Sequence, residues 1–193
     1  MKIYFSTLIL LLSLVVACKK NIEKEESPVV QVVFDELEKN LANGFMLYQG
    51  VLFTGVAKEY MKDGKTLKYL VTYSEGLKNG ISKRWYDNGN KNYETQYVNG
   101  RKQGLTKIWF RSGQLQSEAT YFKGVVHGTE IIWYSTGEKQ KERILHYGQE
   151  KGMQKAWRKN GKLYANYEAV NGRIFGLLGS NMCYEVENEI VKK

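Results

Sequence analysis

The alternation of apolar and polar residues in the central part of the chain predicts β-strands. Between residues 55 and 176, short runs rich in aromatic and β-branched residues are separated by turns that contain glycine. Such runs and turns are typical of β-hairpins, and the spacing of apolar residues that marks a helix is absent there. The pattern therefore predicts an all-β fold.

These strands recur with a period of 24 residues, and four sets of residues carry the period. The sets are Gly80, Gly104, Gly128, Gly152 and Gly176; Trp85, Trp109, Trp133 and Trp157; Gly89, Gly113, Gly137 and Gly161; and Gly76, Gly100, Gly124, Gly148 and Gly172. A degenerate leading copy begins near Gly55. Self-similarity at a fixed period is the signature of a repeat array. We predict about five hairpin repeats over residues 55–176, forming an elongated single-layer antiparallel meander.

The turns predict how the strands of one hairpin face each other. The segment Asp87-Asn88-Gly89 and its equivalents place glycine where a three-residue loop with a bulge needs positive φ. If Tyr86 pairs with Asn90, alternation along the strands places Trp85 on one face together with Lys91, Tyr93 and Tyr97. The same alternation predicts a column of glutamates on the opposite face, namely Glu94, Glu118 and Glu142.

The segments on either side of the array have a different pattern. Residues 29–54 are predicted to form an N-terminal cap and a leading hairpin. Within this segment the apolar residues at helical spacing are Val30, Val33, Phe34, Leu37 and Leu41. Their spacing indicates a short capping helix over residues 29–43, and a strand at residues 29–34 is the alternative. Residues 177–193 are predicted to be a C-terminal cap and tail.

The first residues have the pattern of an export signal. Lys2 precedes an apolar run over residues 3–17 that ends at the small residue Ala17, which is the layout of a secretory signal peptide. The segment Leu14–Cys18 resembles a bacterial lipobox, which implies that Cys18 carries lipid after the leader is removed. Residues 18–28 are charged and predict a flexible tether. An ordinary secretory leader is the alternative, and the favoured prediction is a lipid-anchored protein of the cell envelope, at the outer membrane.

The two cysteines limit the covalent chemistry. Cys18 and Cys183 are the only cysteines in the chain, so a lipid on Cys18 would leave Cys183 without an intramolecular disulfide partner. We interpret Cys183 as a small buried apolar residue. The stability of the array must then come from packing and strand pairing.

The charge of the array indicates the kind of partner. Residues 55–176 hold 22 basic and 11 acidic residues, a net charge of +11. A basic surface favours anionic partners, so we expect an acidic protein or an anionic envelope ligand, and no nucleic acid at an exported location. Lysines and tryptophans that recur at one strand position form the candidate binding face: Lys83, Lys107, Lys155, Trp85, Trp109, Trp133 and Trp157. The alternatives are that the lysines only keep the array soluble and that the tryptophans only pack the sheet.

Signals of catalysis are missing from the sequence. No nucleophile elbow, phosphate loop, dinucleotide-binding or zinc-protease motif is present. His127 and His146 fall at the same end of adjacent repeats and are interpreted as turn residues; a shared metal site is the alternative. The glutamate column repeats because the strand repeats, whereas a catalytic pair of carboxylates needs two distinct environments. We expect no enzyme activity, no cofactor and no metal.

The repeat pattern G-x4-W/Y-Y/F-x2-G-x7-Y-x2-G-x3-G resembles the variant MORN repeat of bacterial proteins, many of which are labelled YwqK-type antitoxins. The resemblance covers about residues 45–178, and later copies depart from it at Leu145, Arg158 and Ala169. It implies a scaffold or binding module. An antitoxin that binds a cognate toxin is the alternative function, and a metal-binding envelope protein is a remote one.

Overall fold

A computed structural model describes residues 29–177 of the chain. The predicted signal peptide, the tether with Cys18, and residues 178–193 with Cys183 lie outside the described residues. The described elements are strands, apart from a 3-10 turn at Phe34–Glu36. The strands are β1 Gln31–Val33, β2 Leu37–Lys39, β3 Met46–Tyr48, β4 Val51–Leu52, β5 Gly55–Tyr60, β6 Leu67–Ser74, β7 Leu77–Trp85, β8 Lys91–Val98, β9 Arg101–Trp109, β10 Leu115–Phe122, β11 Val125–Trp133, β12 Lys139–His146, β13 Gln149–Glu150, β14 Gly152–Trp157, β15 Leu163–Val170 and β16 Arg173–Leu177.

The strands form one long sheet of 13 strands and a small sheet of three. From β5 to β16 each strand pairs antiparallel with the next one along the chain, with the short β13 attached to β12. β1 pairs in parallel with β5 at the beginning of this sheet. The predicted all-β, single-layer antiparallel meander is confirmed, because each strand of the array lies beside the strands that precede and follow it in the chain.

The predicted N-terminal helix is wrong. Residues 31–39 form β1, the 3-10 turn and β2, and the alternative of a strand within residues 29–34 matches β1. The apolar residues at helical spacing do not share one buried face, since Leu41 is 94% exposed and Val30 and Val33 are also exposed. Val32 is buried instead, because β1 alternates with a period of two residues against Ala57 of β5.

The small sheet closes the first end of the array over a core of apolar side chains. Phe53 packs against Tyr48 and Tyr73 with ring centroids 6.0 and 5.8 Å apart. Phe34 contacts Tyr69 at 5.8 Å. The buried residues of this core are Val32, Phe53, Ala57, Tyr69, Val71 and Tyr73. Burial of this apolar surface stabilises the end of a sheet that, within residues 29–177, has a second layer only here.

Two kinds of turn alternate along the sheet. At one edge the Tyr86 N–H donates to the carbonyl of Asn90 at 2.8 Å, and the Gly89 N–H donates back to Tyr86 at 3.0 Å. This is the predicted three-residue loop, and it recurs in the next three hairpins. At the other edge two-residue turns such as Asn99-Gly100 have positive φ at both positions, 48° and 77°. Positive φ at both central residues defines the type I′ hairpin turn.

A one-residue bulge after each three-residue loop inverts the predicted faces. Trp85 lies opposite Lys91, but Arg84 lies opposite Tyr93, so one residue of β8 between them has no partner. Beyond the bulge Glu94 lies opposite Lys83 and therefore shares the face of the tryptophans. The predicted placement of Tyr93 and Tyr97 beside Trp85 is wrong, because one extra residue moves every later side chain to the other face.

Polar side chains link consecutive hairpins. The Tyr86 hydroxyl donates to the carbonyl of Trp109 at 2.8 Å, and 48 residues further along Tyr134 donates to Trp157 at 2.9 Å. Inside the sheet the hydroxyls of Thr95 and Thr106 share a hydrogen bond of 2.5 Å. These bonds join neighbouring repeat units, so they contribute to the cohesion of the array as well as to each hairpin.

Candidate binding faces

The sheet presents two different faces, and we name each after its aromatic residues. The tryptophan face contains Trp85, Trp109, Trp133 and Trp157 together with the row Lys83, Glu94, Lys107, Glu118, Ile131, Glu142 and Lys155. The tyrosine face contains Tyr69, Tyr73, Tyr93, Tyr97 and Tyr121 with Lys78, Arg84 and Lys102.

The three predicted lysines lie in a ladder of alternating charges. Lys83 Nζ lies 3.6 Å from Glu94, and Lys107 Nζ lies 3.7 Å from Glu118. Lys155 lies opposite a carboxylate as well, Glu142 of β12. The structure thus brings the predicted lysines together in one row, but it also adds a glutamate beside each of them. The ladder is locally close to neutral, which reduces its attraction for an anion.

A second set of lysines pairs with the same glutamates. Lys91 donates to Glu94 at 2.8 Å, and Lys139 donates to Glu142 at 2.6 Å. This hydrogen bond from Lys91 lowers the pKa of Glu94 below its usual value. The Glu94 carboxylate is therefore ionised at neutral pH, and Glu94 and Glu142 are both engaged with ammonium groups of their own chain.

The tryptophans of this face are half-buried. Lys91 Nζ lies over the Trp109 ring at 5.4 Å from its centroid, and Lys139 lies over Trp157 at the same distance. Within its own hairpin Trp109 lies opposite Leu115. Each of these two rings is covered by a lysine of the preceding hairpin, so the tryptophans pack the sheet as well as forming its surface.

The tyrosine face is built around a central row of small buried residues. Val71, Ser82, Thr95, Thr106 and Ala119 are each at most 6% exposed. They are buried in a single-layer sheet because the larger tyrosine side chains on both sides of the row extend over it. The tyrosine face therefore has a narrow row of small side chains in its centre and tyrosine rings on both sides of that row.

Two lysines of the tyrosine face lie over tyrosine rings instead of carboxylates. Lys78 Nζ is 5.3 Å from the centroid of Tyr97, and Lys102 Nζ is 4.7 Å from that of Tyr121 and 5.4 Å from that of Tyr93. Within residues 29–177 no ion pair forms at either lysine. Both ammonium groups therefore keep hydrogen-bond donors that the protein itself does not use.

The phenols of Tyr93 and Tyr97 remain protonated at neutral pH. Burial, with a hydrogen bond to Tyr93, raises the pKa of Tyr97 to about 12. Burial also raises the pKa of Tyr93. The Tyr97 phenol uses its hydrogen in the bond to Tyr93, whereas the protonated Tyr93 phenol can donate to an anion, so Tyr93, Lys78 and Lys102 form a set of donors with net positive charge. The sequence analysis missed this set, although the 24-residue spacing of the two lysines was a signal for it.

Further along the tyrosine face the cationic set gives way to a mixed cluster. Arg143 donates from Nε to Glu130 at 2.6 Å and lies 3.9 Å from Glu150. The Tyr167 hydroxyl donates to Glu150 at 2.9 Å. Burial and this hydrogen bond raise the pKa of Tyr167 to about 12. The carboxylates in this cluster are engaged by groups of their own chain.

The two histidines lie in contact. The rings of His127 and His146 have centroids 4.8 Å apart, and each lies 4.7 Å from the ring of Tyr147. The Tyr147 N–H donates to Nδ1 of His127 at 3.4 Å. In residues 29–177 no group of three or more histidine, cysteine or acidic side chains is arranged to hold a metal. The His127 ring contacts Tyr147 at the turn between β12 and β13.

The geometry defines this chain as a repeat protein built from stacked β-hairpins. The family model of the MORN repeat variant matches two segments, residues 78–99 and 102–123. These segments hold the hairpins β7–β8 and β9–β10, which carry the cationic part of the tyrosine face. No curated protein matches the chain. Residues 29–177 contain no helix with the length and apolar character that a membrane span requires.

Proposed function

We propose that this protein is a lipid-anchored binding module of the bacterial cell envelope, which holds an anionic partner against the tyrosine face of its sheet. The module acts without chemistry of its own. The lipid on Cys18 would retain it at the membrane, and residues 18–28 would act as the tether between the lipid and the array. The lipobox resemblance and the apolar run over residues 3–17 support the anchor.

The observation that carries the binding proposal is the pair of unneutralised lysines over tyrosine rings. Lys78 and Lys102 are equivalent residues of adjacent repeats, and Tyr97 lies close to both of them. An anionic group placed between them could accept hydrogen bonds from two ammonium groups and from a phenol. The lysines of the tryptophan face, in contrast, already contact glutamates.

The binding proposal is tested with two double variants that remove the same charge. Lys78→Gln with Lys102→Gln should weaken binding about two- to thirtyfold, because each exposed ion pair contributes about 0.2–1 kcal/mol. Lys83→Gln with Lys107→Gln should have a smaller effect. The probes are polyglutamate and vesicles with and without phosphatidylglycerol, each at low and high salt, since exposed charges are screened beyond about 8 Å at physiological ionic strength.

Each outcome of this comparison favours or rejects one face. A larger loss in the Lys83 and Lys107 variant would move the binding site to the tryptophan face. Equal binding by both variants and the unaltered protein would show that the lysines only keep the array soluble. Binding of vesicles without polyglutamate binding would identify a lipid surface as the source of the anionic groups.

The anchor is tested separately. Labelled palmitate should be incorporated into the protein, and Cys18→Ser should abolish the incorporation and release the chain from membranes. Unchanged membrane retention and mass in Cys18→Ser would reject lipid anchoring, while the binding proposal would stand. The antitoxin alternative draws its support from the resemblance to the variant MORN repeat alone, and a toxin gene adjacent to the gene of this protein would favour it.

A further inference from the structure

The tryptophan face carries a row of exposed apolar side chains beside the charge ladder. Ile81, Leu105, Ile144 and Met153 lie on strands β7, β9, β12 and β14, and each is 40–48% exposed. Part of the row borders a shallow depression of about 220 Å³ whose lining includes Ile81, Gln96 and Leu105. Thr120 and Thr129 separate Leu105 from Ile144 along the row, so the apolar residues leave a gap on either side of the centre that a partner with the same spacing would fill.

The hairpin repeat makes this face complementary to itself. In the repeats β7–β8 and β9–β10 the first strand contributes a lysine to the ladder and the second strand a glutamate. In the later repeats Ile131 takes the place of the lysine on β11, and Asn166 takes the place of the glutamate on β15. A two-fold axis parallel to the strands and midway between a first and a second strand exchanges the two kinds of strand. With the axis between β10 and β11, Lys107 and Lys155 then face Glu142 and Glu94 of the other copy, because the rotation preserves height along the strands. Lys83 faces Asn166.

The exposed apolar residues Ile81, Leu105, Ile144 and Met153 all lie within the four complete repeats, β7–β15, so these repeats are the part of the sheet that the two copies share. Strands β7–β15 have their midpoint between β10 and β11, and an axis there places β9 of one copy over β12 of the other. Row by row, Leu105 then meets Ile144 of the second copy and Lys107 meets Glu142. At the edge with the three-residue loops Trp109 meets Lys139, which repeats the contact that lysines make with tryptophans inside the chain.

The same arrangement fills the depression. With this axis β8 lies over β14 of the second copy, so Met153 and Ile144 of that copy point toward the region of Gln96 and Leu105. The facing sheets of a sandwich are rotated by about 30° because each is twisted. The contact is therefore confined to the central strands, and a small interface of this kind implies weak, concentration-dependent association.

We propose that the tryptophan face is a self-association surface, on which a second copy of this chain packs face to face about a two-fold axis between β10 and β11. The proposal does not depend on the anionic partner, since the tyrosine face stays open on the outside of the pair. It is argued from the complementary charges of the ladder and from the apolar residues that coincide across the axis.

Crosslinking between full-length copies tests the geometry. Two tagged copies are co-expressed, one with Leu105→Cys and the other with Ile144→Cys, both with Cys183→Ser, and treated with a short bis-maleimide. The mixed pair should crosslink at least about fivefold more than two Leu105→Cys copies, whose strands lie three spacings, about 14 Å, apart across the axis. Each chain carries only one of the two engineered cysteines, so a crosslink between residues 105 and 144 must join two chains. Equal yields in the mixed and matched pairs, or none in either, would overturn the proposal.

Exchanging the charges at residues 107 and 142 distinguishes ion pairs between two copies from ion pairs within one chain. Lys107→Glu or Glu142→Lys alone should lower the yield of the mixed crosslink about fivefold or more, because a like charge then faces each altered residue across the axis. The two changes together should restore it. Inside one chain the double variant is worse than either single one, since it places like charges beside Glu118 and Lys155. A yield in the double variant below that of both single variants would refute the face-to-face contact; circular dichroism checks that all variants fold.

Discussion

The hydroxyls of Tyr86 and Tyr134 tie successive hairpins together, and Phe110 occupies the same position in the repeat between them. The backbone around the three residues is alike, because each N–H donates to a carbonyl four residues later at 2.8–2.9 Å. The carbonyl equivalent to those of Trp109 and Trp157 is that of Trp133. Phe110→Tyr should therefore create a third inter-hairpin hydrogen bond with no change of fold.

The expected size of this effect follows from the bonds already present. The two tyrosine hydroxyls are part-buried and bond at 2.8 and 2.9 Å, which is ordinary geometry for such a donor. A hydrogen bond of this kind contributes about 0.5–1.5 kcal/mol net. Phe110→Tyr should raise the free energy of unfolding by that amount, and Tyr86→Phe should lower it by a similar amount. For a chain of this length the gain corresponds to a rise in Tm of about 1–6 °C.

Urea unfolding followed by far-UV circular dichroism measures the change. The matched control is Phe175→Tyr, which adds the same hydroxyl to a ring that is 56% exposed on the last described strand and should be neutral. If Phe110→Tyr is neutral or destabilising while Tyr86→Phe lowers the stability, the idea that equivalent positions of the repeat are energetically equivalent is refuted. An equal gain in Phe175→Tyr would show that the hydroxyl acts without its acceptor.

Three further predictions concern the backbone, the tyrosine face and the array as a whole. Gly55→Ala should destabilise the protein by about 3 kcal/mol, because the added Cβ collides with the backbone carbonyl of Val30. At Gly89, φ is +83° and no other atom lies near the added Cβ. Gly89→Ala should therefore cost only about 1 kcal/mol, and urea unfolding measures both changes. The pKa of Tyr97 is raised to about 12, because the folded state favours the protonated phenol. The stability that this protonated phenol contributes is full below pH about 10 and is lost as the pH rises through about 12. Tyr97→Phe should remove the corresponding ionisation of a tyrosine from a spectrophotometric titration. Trp109→Ala should cost about 2–3 kcal/mol of stability and Trp157→Ala less than half of that, because damage near an end frays the array whereas damage in the middle divides it. Comparable losses of stability in thermal unfolding would contradict the idea that each repeat is stabilised by its neighbours.

The period of 24 residues was sufficient to predict the architecture, because glycines and tryptophans at fixed intervals specify turns and strands directly. The faces could not be predicted in the same way. One unpaired residue, Asn92 in the first complete hairpin, decides whether Tyr93 and Glu94 lie beside Trp85 or on the other side of the sheet. Nothing in the local composition around Asn92 distinguishes a bulged residue from a paired one.

The candidate site was predicted in part for a related reason. The sequence places Lys83 and Lys107 in one row, but whether a glutamate lies opposite them depends on the pairing register across the hairpin. Lys78 and Lys102 were overlooked because they lie next to the two-residue turns, where a lysine is ordinarily a solvated surface residue. Their contact with Tyr97 and Tyr121 exists only after adjacent strands have paired.

The bulge also changes how the array can vary in length. In each hairpin the three-residue loop and its bulge determine which side chains lie on which face. An inserted residue that changes the faces in β7 or β8 therefore does not change them in β9 or β10. An inserted residue would be absorbed within one unit, and the units beyond it would keep their tyrosines and tryptophans on the correct sides. Whole hairpins can therefore be gained or lost in steps of 24 residues, and the remaining hairpins keep the same side chains on the same face of the sheet.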